Sequence, residues 1–217
     1  SGSNLPCDLS GGMVTPSASY YGTQYEFRIH YYDQDGDSPS TLYAYCDGVA
    51  HTMTLDSGSA SNGTYRYQTR DLDCGVSHNY YFYATDPDGS DRDPAAGSYS
   101  GPTNYDPELY WSGTPAPGNW LTIEVWGAVD ALWAAAWSSQ SGPHYVAVTG
   151  LFWDIGPGDL HMAKKIGEAP LYLDAFGYGT YDFKIPNATT SGTKYIQSGT
   201  KVNAFWGQSN QDTFVIP

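Results

Sequence analysis

Two acidic runs carry the densest set of metal-type ligands in the chain, Asp33-Gln34-Asp35-Gly36-Asp37 and Asp86-Pro87-Asp88-Gly89-Ser90-Asp91-Arg92-Asp93. Carboxylates packed closely repel one another unless a cation sits among them. Ca²⁺ is the hard cation that takes six to eight oxygens, at about 2.3–2.6 Å, from irregular loops. Asp33, Asp35, Asp37, Asp86, Asp88, Asp91 and Asp93 therefore form a candidate Ca²⁺-binding set. The spacing is not that of an EF-hand, because Gly36 stands in the wrong place and no Glu closes a twelve-residue loop. A plainer reading stays open beside it: Asp-Gly pairs make good turns, and their carboxylates can simply be solvated.

The remaining reactive residues form no catalytic signature. His30, His51, His78, His144 and His161 are scattered, without HExxH spacing, and there is no GxSxG elbow. Glu124 and Asp130 lie near one strand end, as carboxylates commonly do, and sequence does not fix their separation. The chain reads as non-enzymatic. Cys7, Cys46 and Cys74 show neither CxxC spacing nor a His/Cys cluster, so a disulfide is expected instead of zinc or thioredoxin-type chemistry. Asn62-Gly63-Thr64 and Asn187-Ala188-Thr189 match the N-glycosylation pattern, which is frequent by chance, and the Ser/Thr-rich texture would also suit O-linked sugars.

The elements that must position these residues are strands. Apolar residues alternate with polar ones between Gly, Asn, Asp and Pro punctuation, and no segment holds a 3.6-residue stripe. Strands are expected near Gln24–Tyr32, Thr41–Cys46, Ala50–Leu55, Thr64–Arg70 and His78–Thr85. In the second half they are expected near Glu108–Ser112, Trp120–Gly127, Ala131–Ser138, His144–Trp153, Ala169–Ala175, Thr180–Ile185, Tyr195–Gln197, Val202–Gly207 and Asp212–Ile216. In the first of these Tyr25, Phe27, Ile29 and Tyr31 share one face and Glu26, Arg28, His30 and Tyr32 the other. Asp47-Gly48 spells a two-residue hairpin turn. In Trp120–Gly127 the residues Leu121, Ile123 and Val125 form a core face. Trp120 and Trp126 lie opposite, available for packing, for an interface or for stacking on sugar rings.

Ser98–Asp106, rich in Gly, Pro and Asn, reads as a linker. All 7 Trp fall after it and all 3 Cys before it. Through Tyr105 there are 13 Asp/Glu and 4 Lys/Arg, net −9, against 10 and 5, net −5, in the remainder. The expected architecture is all-β, two tandem β-sandwich domains over residues 1–103 and 104–217. A net charge of −14 argues against nucleic acid and anionic membrane, which reward clustered Lys and Arg. No run approaches the roughly 20 apolar residues of a membrane span. The small polar start Ser1-Gly2-Ser3 reads as a mature end after signal cleavage or as a tag scar. The few Lys and the Tyr/Thr/Gly/Ser texture suit a secreted or cell-surface setting, where disulfides persist.

Through "MVTPSASYYGTQYEFRIHYYDQDGDSPSTLYAYCDGVAHTMTL", "NGTYRYQTRDLDCGVSHNYYFYATDPDGS" and "SGPT", residues 13–103 resemble the immunoglobulin-like domains of large secreted bacterial surface proteins. Through "PELYWSGTPAPGNWLTIEVWGA", "IPNATTSGTKYIQ" and "DTFVIP", the second half is similar to a β-rich domain found at the C-terminus of secreted bacterial proteins. Tandem β-domains of this kind resemble subunits of extracellular filaments, which dock edge strands or a terminal segment into a neighbour. The immunoglobulin-like order implies that both acidic runs follow the second and sixth strands, at one end of the domain. It places Cys46 and Cys74 on neighbouring strands at the other end, as the expected disulfide, while spacing leaves pairings through Cys7 open. Cys7 is left over, for a bond between chains or as a buried thiol.

The resemblance thus implies a structural subunit repeating head to tail, with Ser1–Ser10 and Asp212–Pro217 passing between copies by strand addition. The alternative is an adhesion module that grips polysaccharide or a partner protein through the Trp face or the acidic loops.

Overall fold

The computed structural model describes residues 5–146, 151–156 and 159–217, and every regular element among them is a β-strand. The chain divides into two compact units, Ser1–Ser19 with Gln24–Asn104, and Tyr20–Thr23 with Tyr105–Pro217.

In unit 1 the strands are β1 (Asp8–Thr15), β2 (Ala18–Tyr20), β3 (Tyr25–Tyr32), β4 (Thr41–Cys46), β5 (Val49–Thr52), β6 (Thr54–Ser59), β7 (Asn62–Thr69), β8 (Val76–Thr85), β9 (Ser90–Asp93) and β10 (Tyr99–Tyr105). One sheet runs β1-β3-β7-β6. The other runs β2-β10-β8-β4-β5, with β9 on β8. If β1, β3, β4, β6, β7, β8 and β10 are lettered A to G, with β5 as C′, the orders become ABED and GFCC′, which is the immunoglobulin-like sandwich.

The alternation of β3 closes this sandwich. Tyr25, Phe27, Ile29 and Tyr31 are all within 1% of fully buried and meet Leu42, Ala44, Tyr80 and Phe82 from the facing sheet in one core. The opposite face of β3 carries Glu26 and Arg28 in an ion-pair network with Asp56 and Arg66. Asp47 and Gly48, both at positive φ (48° and 82°), make the tight turn between β4 and β5.

Two expectations fail here for physical reasons. Ala50–Leu55 is not one strand. The chain crosses from one sheet to the other at Met53, whose side chain is buried and whose amide bonds the Leu42 carbonyl at 3.0 Å. Ser98–Asp106 is not a linker but largely β10. Its Gly101-Pro102 pair falls where the β8 register shifts between Ser100 and Thr103, and a bulge tolerates the missing Pro donor. Asn104, fully buried, ties β10 to the Leu72 carbonyl at 2.8 Å.

Unit 2 holds β11 (Glu108–Gly113), β12 (Trp120–Trp126), β13 (Leu132–Ser138), β14 (Ser141–Val146), β15 (Leu151–Ile155), β16 (His161–Lys164), β17 (Tyr178–Lys184), β18 (Gly192–Val202), β19 (Phe205–Gln208) and β20 (Asp212–Ile216). A β11-β12-β17 sheet packs on a β16-β13-β18-β19 sheet that β20 joins through β18, and β14 and β15 form a hairpin. Leu121, Ile123 and Val125 meet Trp133, Trp137, Ile196 and Phe214 between the two sheets. The Ala run of β13 is explained by burial on both faces, since Ala136 packs with Trp153 and Ile155 of the hairpin strand in a second cluster.

The segment expected as one strand over His144–Trp153 is instead two antiparallel strands, and residues 147–150 lie outside the described ones. Ala169–Ala175 contributes a single bridge, Leu132 to Tyr172, because Asp174 turns the chain by accepting the amides of Phe176 and Tyr178 at 2.8 and 2.9 Å.

Strand β1 carries a bulge where the register shifts between Ser10 and Met13, with Gly11 at φ 69°. A Cβ on Gly12 would lie 2.5 Å from Asp93 Oδ2 and 2.7 Å from the Phe82 ring. Gly12→Ala should therefore lower stability by about 1–3 kcal/mol in urea unfolding. A change within a few tenths of a kcal/mol would mean that β1 and β9 are not held this closely.

Candidate functional site

The two acidic runs end β3 and β8 at the same end of the unit 1 sandwich and close on themselves in the same way. Asp33 Oδ1 accepts the amides of Asp35 and Asp37, each at 2.9 Å, and Asp86 Oδ1 accepts those of Asp88 and Gly89 at 2.8 and 2.7 Å. Four other oxygens hold the start of the chain. Leu5 N donates to Asp35 Oδ2 (2.7 Å), Cys7 N to Asp86 Oδ2 (2.5 Å), Leu9 N to Asp91 Oδ2 (2.7 Å) and Gly12 N to Asp93 Oδ2 (2.8 Å). The Leu9 and Gly12 amides belong to β1 and the Leu5 and Cys7 amides to the segment that leads into it, so side-chain carboxylates support the entry to the strand and the strand itself. The acidic residues thus divide by role. Asp33, Asp35, Asp86, Asp91 and Asp93 accept backbone amides, and Asp37 and Asp88 lie further along the two loops.

Among the described residues, the set of three ligand-type atoms drawn within 4.8 Å of one another is at the opposite end: Cys46, Asp47 and His78. Sequence reading passed over it because its members come from a strand end, a turn and another strand. His78 is buried. Its Nδ1 lies 2.5 Å from Asp47 Oδ2 and its Nε2 3.0 Å from the Asp73 carbonyl, while Asn79 N donates to Asp47 Oδ1 at 2.9 Å. Burial would raise the Asp47 carboxyl, but the His78 and Asn79 hydrogen bonds outweigh it and hold the group below its ordinary value. Both ring nitrogens of His78 are thus engaged within the protein, by Asp47 and by the Asp73 carbonyl.

The expected Cys46–Cys74 bond is not formed in this structure. The two cysteines do flank the same place, because Cys46 pairs with Tyr80 across β4 and β8 and Cys74 lies two residues before β8. Their environments differ, however. Cys46 is buried, with its thiol pushed up to about 12 by burial and then by the Asp47 charge, whereas Cys74 is exposed. Of the two readings of Cys7, a link between chains or a buried thiol, this structure shows the buried thiol. It is 5% exposed in its own core, and burial, with Asp86 beside it, pushes its thiol up to about 12. The described parts of the head and tail expected to pass between copies are paired within the chain, β1 on β3 and β20 on β18.

In unit 2 the Trp face points outward as the alternation requires. Trp120 is 62% exposed, and the Trp126 ring is tilted on Tyr178 with centroids 4.8 Å apart. Between them run Thr122 and Glu124, with Asp182 and Thr180 across the β12–β17 register, and Thr122 Oγ1 donates to Asp182 at 2.6 Å. A cleft of about 330 Å³ lies beside Trp120, lined by Trp137, His161, Glu168, Tyr181 and Asp182 among others. His161 is committed to stacking on Trp137 (4.4 Å), and in unit 1 His51 stacks on Tyr67 (4.4 Å). Glu124 sits mid-strand and Asp130 in the turn after β12, at φ 57°. Asn62 and Asn187 are both exposed.

Sequence reading also missed two buried lysines of unit 2. Lys164 Nζ donates to the Trp133 carbonyl at 3.0 Å and lies 4.4 Å from the Trp133 ring. Lys194 Nζ lies 3.4 Å from Asp159 Oδ2. An alternating strand pattern carries no signal for a lysine that turns inward.

No family model and no curated protein matches the chain. Among solved structures, dimeric latent PorU from Porphyromonas gingivalis aligns over 98% of this chain at 11% identity and a TM-score of 0.37, and this chain spans 20% of that one. The titin domains Z1Z2 in complex with telethonin align over 98% of this chain and 96% of theirs, at 11% identity and 0.38. The chicken interferon gamma receptor alpha chain aligns over 96% and 98%, at 8% identity and 0.34. Likeness at this level carries no argument, and the all-β, two-sandwich assignment rests on the strand orders above.

Asp159 gives this unit an acid dependence. Burial would raise its carboxyl, but hydrogen bonds from the Ser139 hydroxyl and amide, with the Lys194 charge, bring it down to about 2. A depressed folded value means that the contribution is complete above the ordinary 3.8 and is lost as pH falls through about 2. Asp159→Asn should cost on the order of 1–2 kcal/mol at pH 7, discounted from the buried-pair range because Asp159 is 36% exposed. It should also flatten the loss of stability between those two pH values in denaturant titrations.

Proposed function

We propose that this chain is a non-catalytic structural protein of the extracellular space, whose copies associate head to tail into a filament or surface sheath. One observation carries the reading. Two adjacent loops of unit 2 hold Val129, Leu171, Tyr172 and Phe176 out in solvent, at 48%, 43%, 56% and 83% exposure. These loops are fixed. Leu173 N bonds the Ala131 carbonyl at 2.8 Å, Gly127 N bonds the Gly177 carbonyl at 2.8 Å, and Leu132 bridges to Tyr172. Large apolar side chains displayed together on a rigid base mark a contact surface. A contact with a different surface of the next copy propagates without closing, as a fibre requires. The net charge of −14 keeps copies apart at long range, so a short-range apolar contact is the kind that suits association. The secreted, bacterial-type setting is supported by the sequence resemblance and by the acidic, Lys-poor composition.

Electron microscopy and sedimentation of the purified chain test this. Wild type should form polymers, and Tyr172→Ser with Phe176→Ser should leave monomers of unchanged melting temperature. Polymers that persist in the double variant would remove this surface from the reading, and a monomeric wild type would remove the reading itself.

A second reading, polysaccharide adhesion, is favoured by the exposed Trp120 and the Trp126–Tyr178 pair at the two ends of one polar row. Trp120→Ala and Trp126→Ala should each weaken binding to a soluble glycan about tenfold, or ~1.4 kcal/mol, in calorimetric titration. Undiminished binding in both variants would exclude the face.

A further inference from the structure

We propose that Cys46, Asp47 and His78 bind a Zn²⁺ ion at the end of unit 1 opposite the acidic loops, with solvent in the fourth position. The ligand atoms of these three residues lie within 4.8 Å of one another. Each comes from a different place in the fold: Cys46 ends β4, Asp47 makes the turn that follows, and His78 lies near the start of β8.

The His78 ring carries the argument. Its Nε2 meets the Asp73 carbonyl at 3.0 Å, and a backbone carbonyl only accepts, so Nε2 bears a proton. A metal-binding histidine is held in the same way, by its second nitrogen donating to a carbonyl or carboxylate. Nδ1 then faces Asp47 Oδ2 at 2.5 Å, and a bare ring nitrogen and a carboxylate repel unless a proton or a metal ion lies between them. Cys46 favours the metal. A proton serves the His78–Asp47 pair and leaves the sulfur idle, whereas a metal ion uses all three donors.

The carboxylate is positioned as firmly as the ring. Asn79 N donates to Asp47 Oδ1 and Asp47 N to the Asn79 carbonyl, both at 2.9 Å, which turns Oδ2 toward His78. Cys46 and His78 are buried, while the Asp47 side chain is 49% exposed, so the site keeps one side open for entry and for a water ligand. Without metal, burial and then the Asp47 charge hold Cys46 as a thiol, and a coordinating metal ion removes that proton outright.

The donor set selects the ion. One thiolate, one imidazole and one carboxylate suit Zn²⁺, which accepts sulfur, nitrogen and oxygen in a tetrahedron and has no redox change of its own, whereas Ca²⁺ and Mg²⁺ take oxygen. The two anionic ligands cancel its charge, so the loaded site is neutral. It ties β4 to β8 where the sequence suggested a Cys46–Cys74 bond, and the two uses of Cys46 exclude each other.

The test uses the full chain, reduced and dilute, so its outcome is independent of whether copies assemble. Zn²⁺ is titrated by calorimetry, and Co²⁺ serves as a coloured substitute. One ion should bind per chain and raise the melting temperature until a chelator removes it. Co²⁺ should show the absorption of a thiolate–metal bond, which Cys46→Ala should abolish and Cys74→Ser should keep. Asp47→Asn suits the left-handed turn position (φ 48°) and should fold, yet bind Zn²⁺ at least about tenfold more weakly. Absence of binding in wild type, absorption that survives Cys46→Ala or vanishes in Cys74→Ser, full affinity in Asp47→Asn, or a Cys46–Cys74 bond that closes in air with Zn²⁺ present would each overturn the site.

Discussion

An edge strand turns every second amide away from its only neighbour, and a buried amide must find an acceptor. In unit 1 this constraint falls on β1, and side-chain carboxylates meet it. Asp91 and Asp93 bind the Leu9 and Gly12 amides of β1, and Asp86 and Asp35 bind the Cys7 and Leu5 amides ahead of it. The rest of that end follows from this arrangement. Acid must be concentrated there, Gly12 must lack a side chain so that Asp93 can reach its amide, and Cys7 and Leu9 are carried into the core. Tyr99 completes the support by donating its hydroxyl to Asp93 Oδ1 at 2.7 Å.

Unit 2 meets a different constraint. Its central strand β13 is covered on both faces, so three consecutive small Ala residues stand between Trp133 and Trp137, whose large rings fill the space between the sheets. The side of β18 toward the hairpin is polar and must satisfy itself internally. Gln197 does this by accepting the Asp154 amide at 2.9 Å and donating to the Ser209 carbonyl at 2.9 Å. The lysines are accommodated by aromatic faces. Burial lowers the Lys164 amine, against the opposing charge of Glu168, and its ammonium lies over Trp133 with a backbone carbonyl as acceptor.

What was legible in the sequence was whatever alternation governs. Strands β3, β4, β12 and β20 appear within a residue of where their patterns place them, because each has one buried and one wet face. The missed strands lack that contrast. β1 reads "DLSGGMVT", with a bulge at its glycines, and β10 reads "YSGPTNY", so both look like turn material until the partner strand is known. The placement of the two acidic runs at one end was legible once strand order was assumed, since loops after the second and sixth strands of this sandwich share an end. Which carboxylate serves which backbone amide was not legible, because that depends on the register of a strand far away in the chain, as the separation between Cys7 and Asp86 (79 positions) illustrates. The exposed cluster of Tyr172 and Phe176 was hidden too, inside a stretch that spells a strand and folds as a turn.

Cys7 gives the molecule a native gauge of its own breathing. Its sulfur is enclosed, and beside Asp86 it stays a thiol, the form that alkylating reagents attack poorly. Modification there has to wait for the leading strand to lift from its carboxylate supports, whereas Cys74 lies in reach at all times. The ratio of the two labelling rates is then a clock for how often the sandwich opens at its first strand.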